Sequence, residues 1–376
     1  MKLEIAILGT RGIPANYGGF ETFAEELSVR LVERGHSVTV YGRSHYLPPG
    51  VEQYRGVQVR RLASIRQKYL ETVSHTAFSI LDASWRGYDV VLICNAANAL
   101  FCPIPRICGA KVVLNVDGIE RLRRKWNALG RGFYLLSERL STWFPDAVVT
   151  DARSVQEYYL KRYHLESTFI PYGAPVECVK TRTILEKLNL PYKGYILYVS
   201  RLEPENNADR VLEAYLRSNL EIPLAMIGDA PYNRGFIRDL REKAKGRKVV
   251  MPGAIYGKGY HELLAGALCY LQATEVGGTH PALVEAMGAG CVVISHDTVE
   301  NREVLADAGI LVNFHDIEGL AATLSTVCRA WDEFKDLGER ARERVRRHYD
   351  WEAVVDQYEQ LFWDLLGDTV KLTTPS

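Results

Sequence analysis

Short apolar runs alternate with amphipathic stretches along the whole chain, the pattern of a mainly parallel sheet with helices on both faces. The first cycle is the clearest. Leu3 to Leu8 reads as a buried strand, Gly9 to Gly19 as a loop, and Phe20 to Arg34 as an amphipathic helix. Gly35 stops that helix and His36 to Tyr41 forms the next strand. Further strands are predicted at Val57 to Leu62, Val90 to Cys94, Lys111 to Val116, Ala147 to Thr150 and Ser167 to Ile170. That set completes one doubly wound sheet.

The segment Pro171-Tyr172-Gly173-Ala174-Pro175 interrupts any regular element, and a second series follows it. Its strands are predicted at Tyr195 to Val199, Leu224 to Ile227, Lys248 to Met251, Ala267 to Gln272, Cys291 to Ser295 and Ile310 to Val312. From Asp350 to Leu366, Trp351, Val354, Val355, Tyr358, Leu361, Phe362 and Leu365 recur at helical spacing and form one strongly apolar face. The fold class expected is therefore α/β, with two Rossmann-like doubly wound domains over 1–175 and 176–349. A final helix over 350–376 is expected to return to the first domain. Ligands of such a pair belong at the carboxyl ends of the strands, in a central cleft that the domains face.

Composition narrows the class. The chain has 376 residues, more than one hydrophobic core usually supports, and 46 basic residues balance 46 acidic ones. Disordered and coiled-coil classes are thereby disfavoured, as is a global electrostatic grip on nucleic acid. Basic residues exceed acidic ones before residue 178, and the remainder reverses the excess. That bias suits a phosphate-bearing acceptor or a lipid headgroup surface near the first domain. The seven cysteines form no C-x-x-C pair, so a reducing cytoplasm fits better than a disulfide framework or a cysteine zinc site. No apolar stretch approaches the length of a bilayer span.

Candidate chemistry sits in the loops after strands. In the first loop, Gly18 and Gly19 stand just before a helix, where backbone N–H groups and the helix dipole favour an anion or diphosphate. A long surface loop would use the same residues. After the Lys111 to Val116 strand comes Asp117-Gly118-Ile119-Glu120. Asp117 is placed to accept a proton from an attacking hydroxyl, or else to cap a helix with Glu120. Arg121, Arg123, Arg124, Lys125 and Arg131 interleave with Trp126, Phe133, Tyr134, Leu135, Leu136, Trp143 and Phe144. This combination suits an anionic membrane surface, and equally a solvated helix face.

In the second half, Arg201 follows a strand within Ser200-Arg201-Leu202-Glu203-Pro204-Glu205-Asn206-Asn207, where its planar fork is suited to a diphosphate. The richest segment runs from Glu275 to Gly290. Gly277, Gly278 and Thr279 offer backbone donors at the start of a helix, and Glu285 on that helix is suited to the vicinal hydroxyls of a ribose. His280 reads equally as structural or functional.

With these residues the full chain resembles the two-domain glycosyltransferases of the GT-B fold, retaining family four. The resemblance implies that Arg201 contacts the donor diphosphate and that Glu285 binds the donor ribose. Asn206 stands where that family usually has a second, lysine contact to phosphate. The first glutamate of the family's E-x7-E element has no counterpart, since Gly277 lies eight before Glu285 and Glu275 lies ten before. The segments RGIPANYGGFETF, DGIERLRRKW, RLEPENN and VGGTHPALVEAM together are similar to the bacterial β-1,4-rhamnosyltransferase-type branch.

The resemblance implies transfer of a sugar from a nucleotide diphosphate sugar, with dTDP-L-rhamnose the leading donor, to a glycan or lipid-linked acceptor with retention. Gly18, Gly19, Arg201, Asn206, Gly277, Gly278, Thr279 and Glu285 would bind the donor. Asp117, Glu120 and Arg124 would bind the acceptor, and Asp117 and Arg201 would act in catalysis. No metal is expected, because no D-x-D pair accompanies the donor residues. The enzyme would work in the cytoplasm, at the inner face of the plasma membrane. A nucleotide-sugar epimerase of the same fold and a catalytically silent nucleotide-sugar-binding subunit are the alternatives.

Overall fold

The computed structural model describes residues 1–67, 70–123, 126–176, 179–230 and 233–373. They divide into two compact units, Met1–Tyr172 joined by the C-terminal segment from Trp351, and Gly173–Asp350.

The first unit carries eight strands: β1 (Glu4–Leu8), β2 (Ser37–Arg43), β3 (Gln53–Tyr54), β4 (Val57–Leu62), β5 (Val90–Cys94), β6 (Lys111–Val116), β7 (Ala147–Thr150) and β8 (Thr168–Phe169). Their order is β3-β4-β2-β1-β5-β6-β7-β8. All neighbours are parallel except β3 and β4, where Gln53 faces Gln58 in an antiparallel edge pair. The two residues of β3 are too few to show a period, and sequence reading missed them.

Strand β1 shows why an unbroken apolar run was needed. Ile5 and Ile7 pack with Phe23, Leu27 and Val40 on one face, while Ala6 and Leu8 pack with Ile80, Val91 and Ile93 on the other. Both faces of this strand are dry, so alternation gives way to continuous hydrophobicity.

The C-terminal helix, Trp351–Thr373, lies on the first of these faces. Trp351, Val354, Val355, Tyr358 and Phe362 are all buried there, each worth roughly 1.5–3 kcal/mol of transfer free energy. Buried Asn115 on β6 donates to Tyr358 Oη at 2.6 Å. At the rim Arg34 pairs with Glu352, Asp356 and Glu359, and His36 Nε2 lies 3.0 Å from Glu359.

The second unit carries β9 (Ile196–Val199), β10 (Leu224–Ile227), β11 (Val249–Gly253), β12 (Cys269–Gln272), β13 (Val292–His296) and β14 (Ile310–Val312). They form one parallel sheet in the order β11-β10-β9-β12-β13-β14. The winding reverses between β9 and β12. Ligands of open α/β sheets bind at such a reversal, outside the carboxyl ends of the strands.

Candidate functional site

The two strand ends at that reversal deliver Arg201 and the segment from Glu275 to Thr279. Arg201 is half-buried two residues beyond β9. Its loop is held from beneath by Gly228, whose φ of +151° lies where side chains are strained and where an added Cβ would meet Ser200 O at 1.8 Å.

Asn206 is buried, and its Nδ2 donates to the Arg201 carbonyl at 2.7 Å, while Tyr198 Oη donates to the Asn206 carbonyl at 2.7 Å. Asn206, expected to contact phosphate, is thus also bonded within its own loop. The shorter amide is drawn into the loop and braces the backbone of Arg201, where a lysine would be long enough to leave it.

Asn207 adopts the left-handed conformation, with φ 57°. Its Nδ2 donates both to Ala273 O at 2.8 Å and to Glu275 Oε1 at 2.9 Å. One side chain thus ties the loop after β9 to the loop after β12.

Gly277, Gly278 and Thr279 are buried just before the helix Pro281–Gly288, which opens with proline in its first turn and His280 at the N-cap. An added Cβ at Gly277 would sit 2.5 Å from the His280 ring, so the glycine makes room for the imidazole. Glu285 is buried on this helix and accepts a hydrogen bond from Tyr260 Oη at 2.6 Å. Burial and the Glu285 charge push the Tyr260 phenol well above its ordinary range, so Tyr260 stays a donor. Neither Tyr260 nor Asn207 was singled out from the sequence. Asn207 sat beside Asn206 without a distinguishing signal, and Tyr260 precedes Glu285 by 25 positions with no motif between them.

In the first unit Gly18 is extended at the N-cap of the helix Gly19–Glu33. The preceding loop is pinned rather than loose. Glu21 accepts from the Arg11 N–H at 2.8 Å, Glu25 accepts from the Ala15 N–H at 2.6 Å, and Asn16 Nδ2 donates to Tyr46 O at 2.6 Å. The Arg11 guanidinium lies 3.4 Å from the centroid of the Tyr17 ring. Two amides of the preceding loop, at Arg11 and Ala15, are therefore engaged by carboxylates of the helix itself. Beside this loop Arg43 is buried and pairs with Glu71, which also bonds His45 at 2.7 Å.

Asp117 is half-buried after β6, and its charge reinforces burial in pushing the Tyr172 phenol up. It is not a helix cap, because the turn Glu120–Leu122 has Ile119 at its N-cap and no side-chain cap. Glu120 is bonded to buried Arg123. Arg124 lies outside the described residues. Arg121 pairs with Glu138 and donates to Tyr158 Oη at 2.9 Å. The expected basic run thus loses two cations to carboxylates that the run itself did not reveal.

The helix Ala128–Ser141 is inverted relative to an ordinary surface helix. It buries Ser137, Glu138 and Ser141 beside Tyr134. It exposes Leu129, Leu135 and Leu136, and Trp143 is exposed just beyond its end. Glu138 Oε2 accepts from the phenols of Tyr158 and Tyr163, and Oε1 faces Arg121 Nε at 3.2 Å. Among the described residues no helix is long and apolar enough to cross a membrane.

Comparison with known proteins agrees with this geometry. Residues 18–173 match the model described as "Glycosyl transferase 4-like domain" and residues 181–344 the model "Glycosyl transferases group 1". A curated relative, O-antigen chain mannosyltransferase B of Escherichia coli, is 22% identical over 224 residues, 58% of this chain and 55% of that protein. The chain spans about half the length of the curated relatives it matches. Sucrose-phosphate synthase from Thermosynechococcus elongatus has the same fold, with a TM-score of 0.82 at 20% identity over 97% of this chain and 99% of that one. Anabaena HepE, solved in complex with UDP, superposes with a TM-score of 0.76 at 15% identity over 96% and 100% of the two chains. The two adjoining domain matches and the pair of doubly wound sheets make this chain a member of the group 1, 4-like glycosyltransferases of GT-B architecture.

Proposed function

We propose that the chain is a retaining glycosyltransferase that takes a sugar from a nucleotide diphosphate donor and passes it to a glycan or lipid-linked acceptor, with dTDP-L-rhamnose the leading donor. The observation that carries this reading is the bridge from Asn207 to Glu275, which joins the Arg201 loop to the Gly277–Thr279 loop at the reversal of the second sheet. Arg201 then faces the diphosphate, the amides of Gly277, Gly278 and Thr279 face diphosphate and sugar, and Glu285, held at Oε2 by Tyr260, binds the ribose hydroxyls.

In the reaction the bond from the anomeric carbon to the β-phosphate oxygen breaks, and its electron pair leaves on the phosphate. Arg201 and the loop amides stabilise that charge without rearranging. The acceptor oxygen bonds to the same face of the anomeric carbon, and its proton passes to the departing phosphate oxygen. Asp117 in the first unit is assigned to orient the acceptor hydroxyl, and the Gly18–Gly19 helix end to the donor. Glu120, which accepts from Arg123, is assigned with Asp117 to the acceptor side.

The exposed apolar face of Ala128–Ser141, flanked by exposed Arg131 and Arg139, supports peripheral contact with an anionic membrane at the inner leaflet. Among the described residues, Arg131 and Arg139 are the cations offered for that contact, since Arg121 and Arg123 are paired with carboxylates.

A panel of dTDP-, UDP- and GDP-linked sugars screened by thermal shift tests the donor assignment. A donor at a hundredfold excess over its Kd adds about 2.7 kcal/mol. The expected result is a shift with dTDP-L-rhamnose that Glu285→Ala and Arg201→Ala remove. Shifts that survive both substitutions would defeat the site assignment, and free rhamnose epimers formed without acceptor would favour the epimerase.

A further inference from the structure

We propose that Glu275, His296 and His315 form a binding site for a zinc-class divalent cation at the carboxyl edge of the second sheet. The three residues are far apart in sequence and share no motif. Strand order brings them together. β12, β13 and β14 are consecutive in the sheet, with Gln272 opposite Ser295 and His296 opposite Val312. Glu275 lies three residues beyond the end of β12, His296 ends β13, and His315 lies three residues beyond the end of β14. One ligand atom from each falls within 4.8 Å of the others, and His315 Nε2 is 3.0 Å from Glu275 Oε1.

Bonds of about 2.1 Å in tetrahedral arrangement place ligand atoms roughly 3.4 Å apart, so the cluster needs a contraction of at most about 1.4 Å between any two of them. Two imidazoles with one carboxylate select zinc or its neighbours over magnesium and calcium, which prefer all-oxygen shells. Three protein ligands leave a fourth position for water.

The surroundings are those of a supported site. The carboxylate of Glu275 is oriented by Asn207 Nδ2 at 2.9 Å. The buried ring of His296 is fixed at Nδ1, which has Phe314 N at 3.2 Å and Val312 O at 3.4 Å. A metal on Nε2 selects the tautomer in which Nδ1–H donates to the Val312 carbonyl, the usual outer-shell partner of a ligating histidine, in place of accepting from the Phe314 N–H. Exposed His315 is free to swing by the small distance required. Occupancy would tether the loop that carries Gly277–Thr279 to the two outer strands. The site shares Glu275 with the Asn207 bridge on which the donor reading rests, but His296 and His315 are not groups assigned to diphosphate or ribose.

The test uses the full chain, tag removed and chelator-treated, titrated with cobalt(II) chloride and then zinc chloride. The expected result is one equivalent of cobalt with a visible d–d band of a four-coordinate site, displaced by zinc. His315→Ala and Glu275→Gln, which leave the His296 bonds to backbone intact, should each weaken zinc binding by at least about tenfold and abolish the band. Absence of stoichiometric uptake by the parent, or uptake unchanged in both variants, would overturn the proposal.

Discussion

Tyr260 donates its phenolic proton to Glu285 Oε2 at 2.6 Å, which orients the carboxylate before any ligand arrives. Tyr260→Phe removes this bond and leaves a buried carboxylate short of one donor, at a cost of about 1–3 kcal/mol. On the proposed reading the donor KM rises about tenfold while kcat changes less, because the ribose contact is made equally in ground and transition states. Glu285→Ala should lose more, about a hundredfold in kcat/KM. Steady-state kinetics with varied donor check both, and a Tyr260→Phe enzyme with unchanged KM would detach Glu285 from the ribose.

Asn206 makes a different kind of prediction, since its amide bonds the carbonyl of Arg201. Asn206→Ala should lower stability by about 1–2 kcal/mol and reduce kcat, because the Arg201 backbone is no longer held. If the two residues act as one unit, the double variant Arg201→Ala/Asn206→Ala loses little more activity than Arg201→Ala alone. Additive losses would restore Asn206 to direct phosphate contact.

The contrast between these residues shows what the sequence could convey. Strands buried on both faces, such as Val90–Cys94 and Lys111–Val116, were legible because continuous apolar runs have few alternative uses. Arg201 and Glu285 were legible because each follows a strand or a glycine loop at a position where ligands bind. Asn207 and Tyr260 were not, since their meaning lies in long-range partners, Glu275 and Glu285. The run Arg121 to Arg131 misled for the same reason. Its charges looked solvent-directed until Glu138 proved to be buried opposite Arg121.

The inverted helix leads to a membrane prediction. Leu129 is 84% exposed, Leu136 55% and Trp143 58%, and they recur every seven residues, so they share one side. Leu129→Ser/Leu136→Ser/Trp143→Ser should abolish co-sedimentation with vesicles containing anionic lipid, while Arg121→Ser leaves binding intact. Vesicle flotation at low and moderate salt checks this. Equal binding by the triple variant would remove the helix from consideration.

His75 sets a pH prediction. Its ring is buried on the helix Glu71–Ser84, and burial first, then the charge of Arg43, lowers its pKa from 6.5 to about 4 against a small opposing effect of the Gly42 backbone; His45 also lowers it. The unfolded chain therefore takes up a proton near pH 6.5 that the native protein refuses until about pH 4. The stabilisation is complete above pH 6.5 and is lost as the pH falls through that window, by about 3 kcal/mol in all. Carboxylates titrate there as well, so the readout is the difference between the parent and His75→Leu in urea unfolding at pH 7, 5.5 and 4. The parent should lose more stability than the variant on acidification, and parallel curves would mean that His75 is already protonated in the native state.

The bond from Asn115 to Tyr358 Oη joins the middle of the first sheet to a helix more than two hundred residues later, and both side chains are fully buried. Tyr358→Phe keeps the ring in the core but leaves the Asn115 amide without its partner, so a loss of about 1–3 kcal/mol is expected with little change in donor binding, whose diphosphate and ribose contacts through Arg201 and Glu285 are assigned to the other unit. Ending the chain before Trp351 is far more severe. Five buried apolar side chains, each worth roughly 1.5–3 kcal/mol, approach or exceed the whole stability of a typical domain. The truncated protein should retain the melting transition of the second unit and lose that of the first, as read by calorimetry. A truncated chain with both transitions intact would show that the helix covers the first sheet without stabilising it.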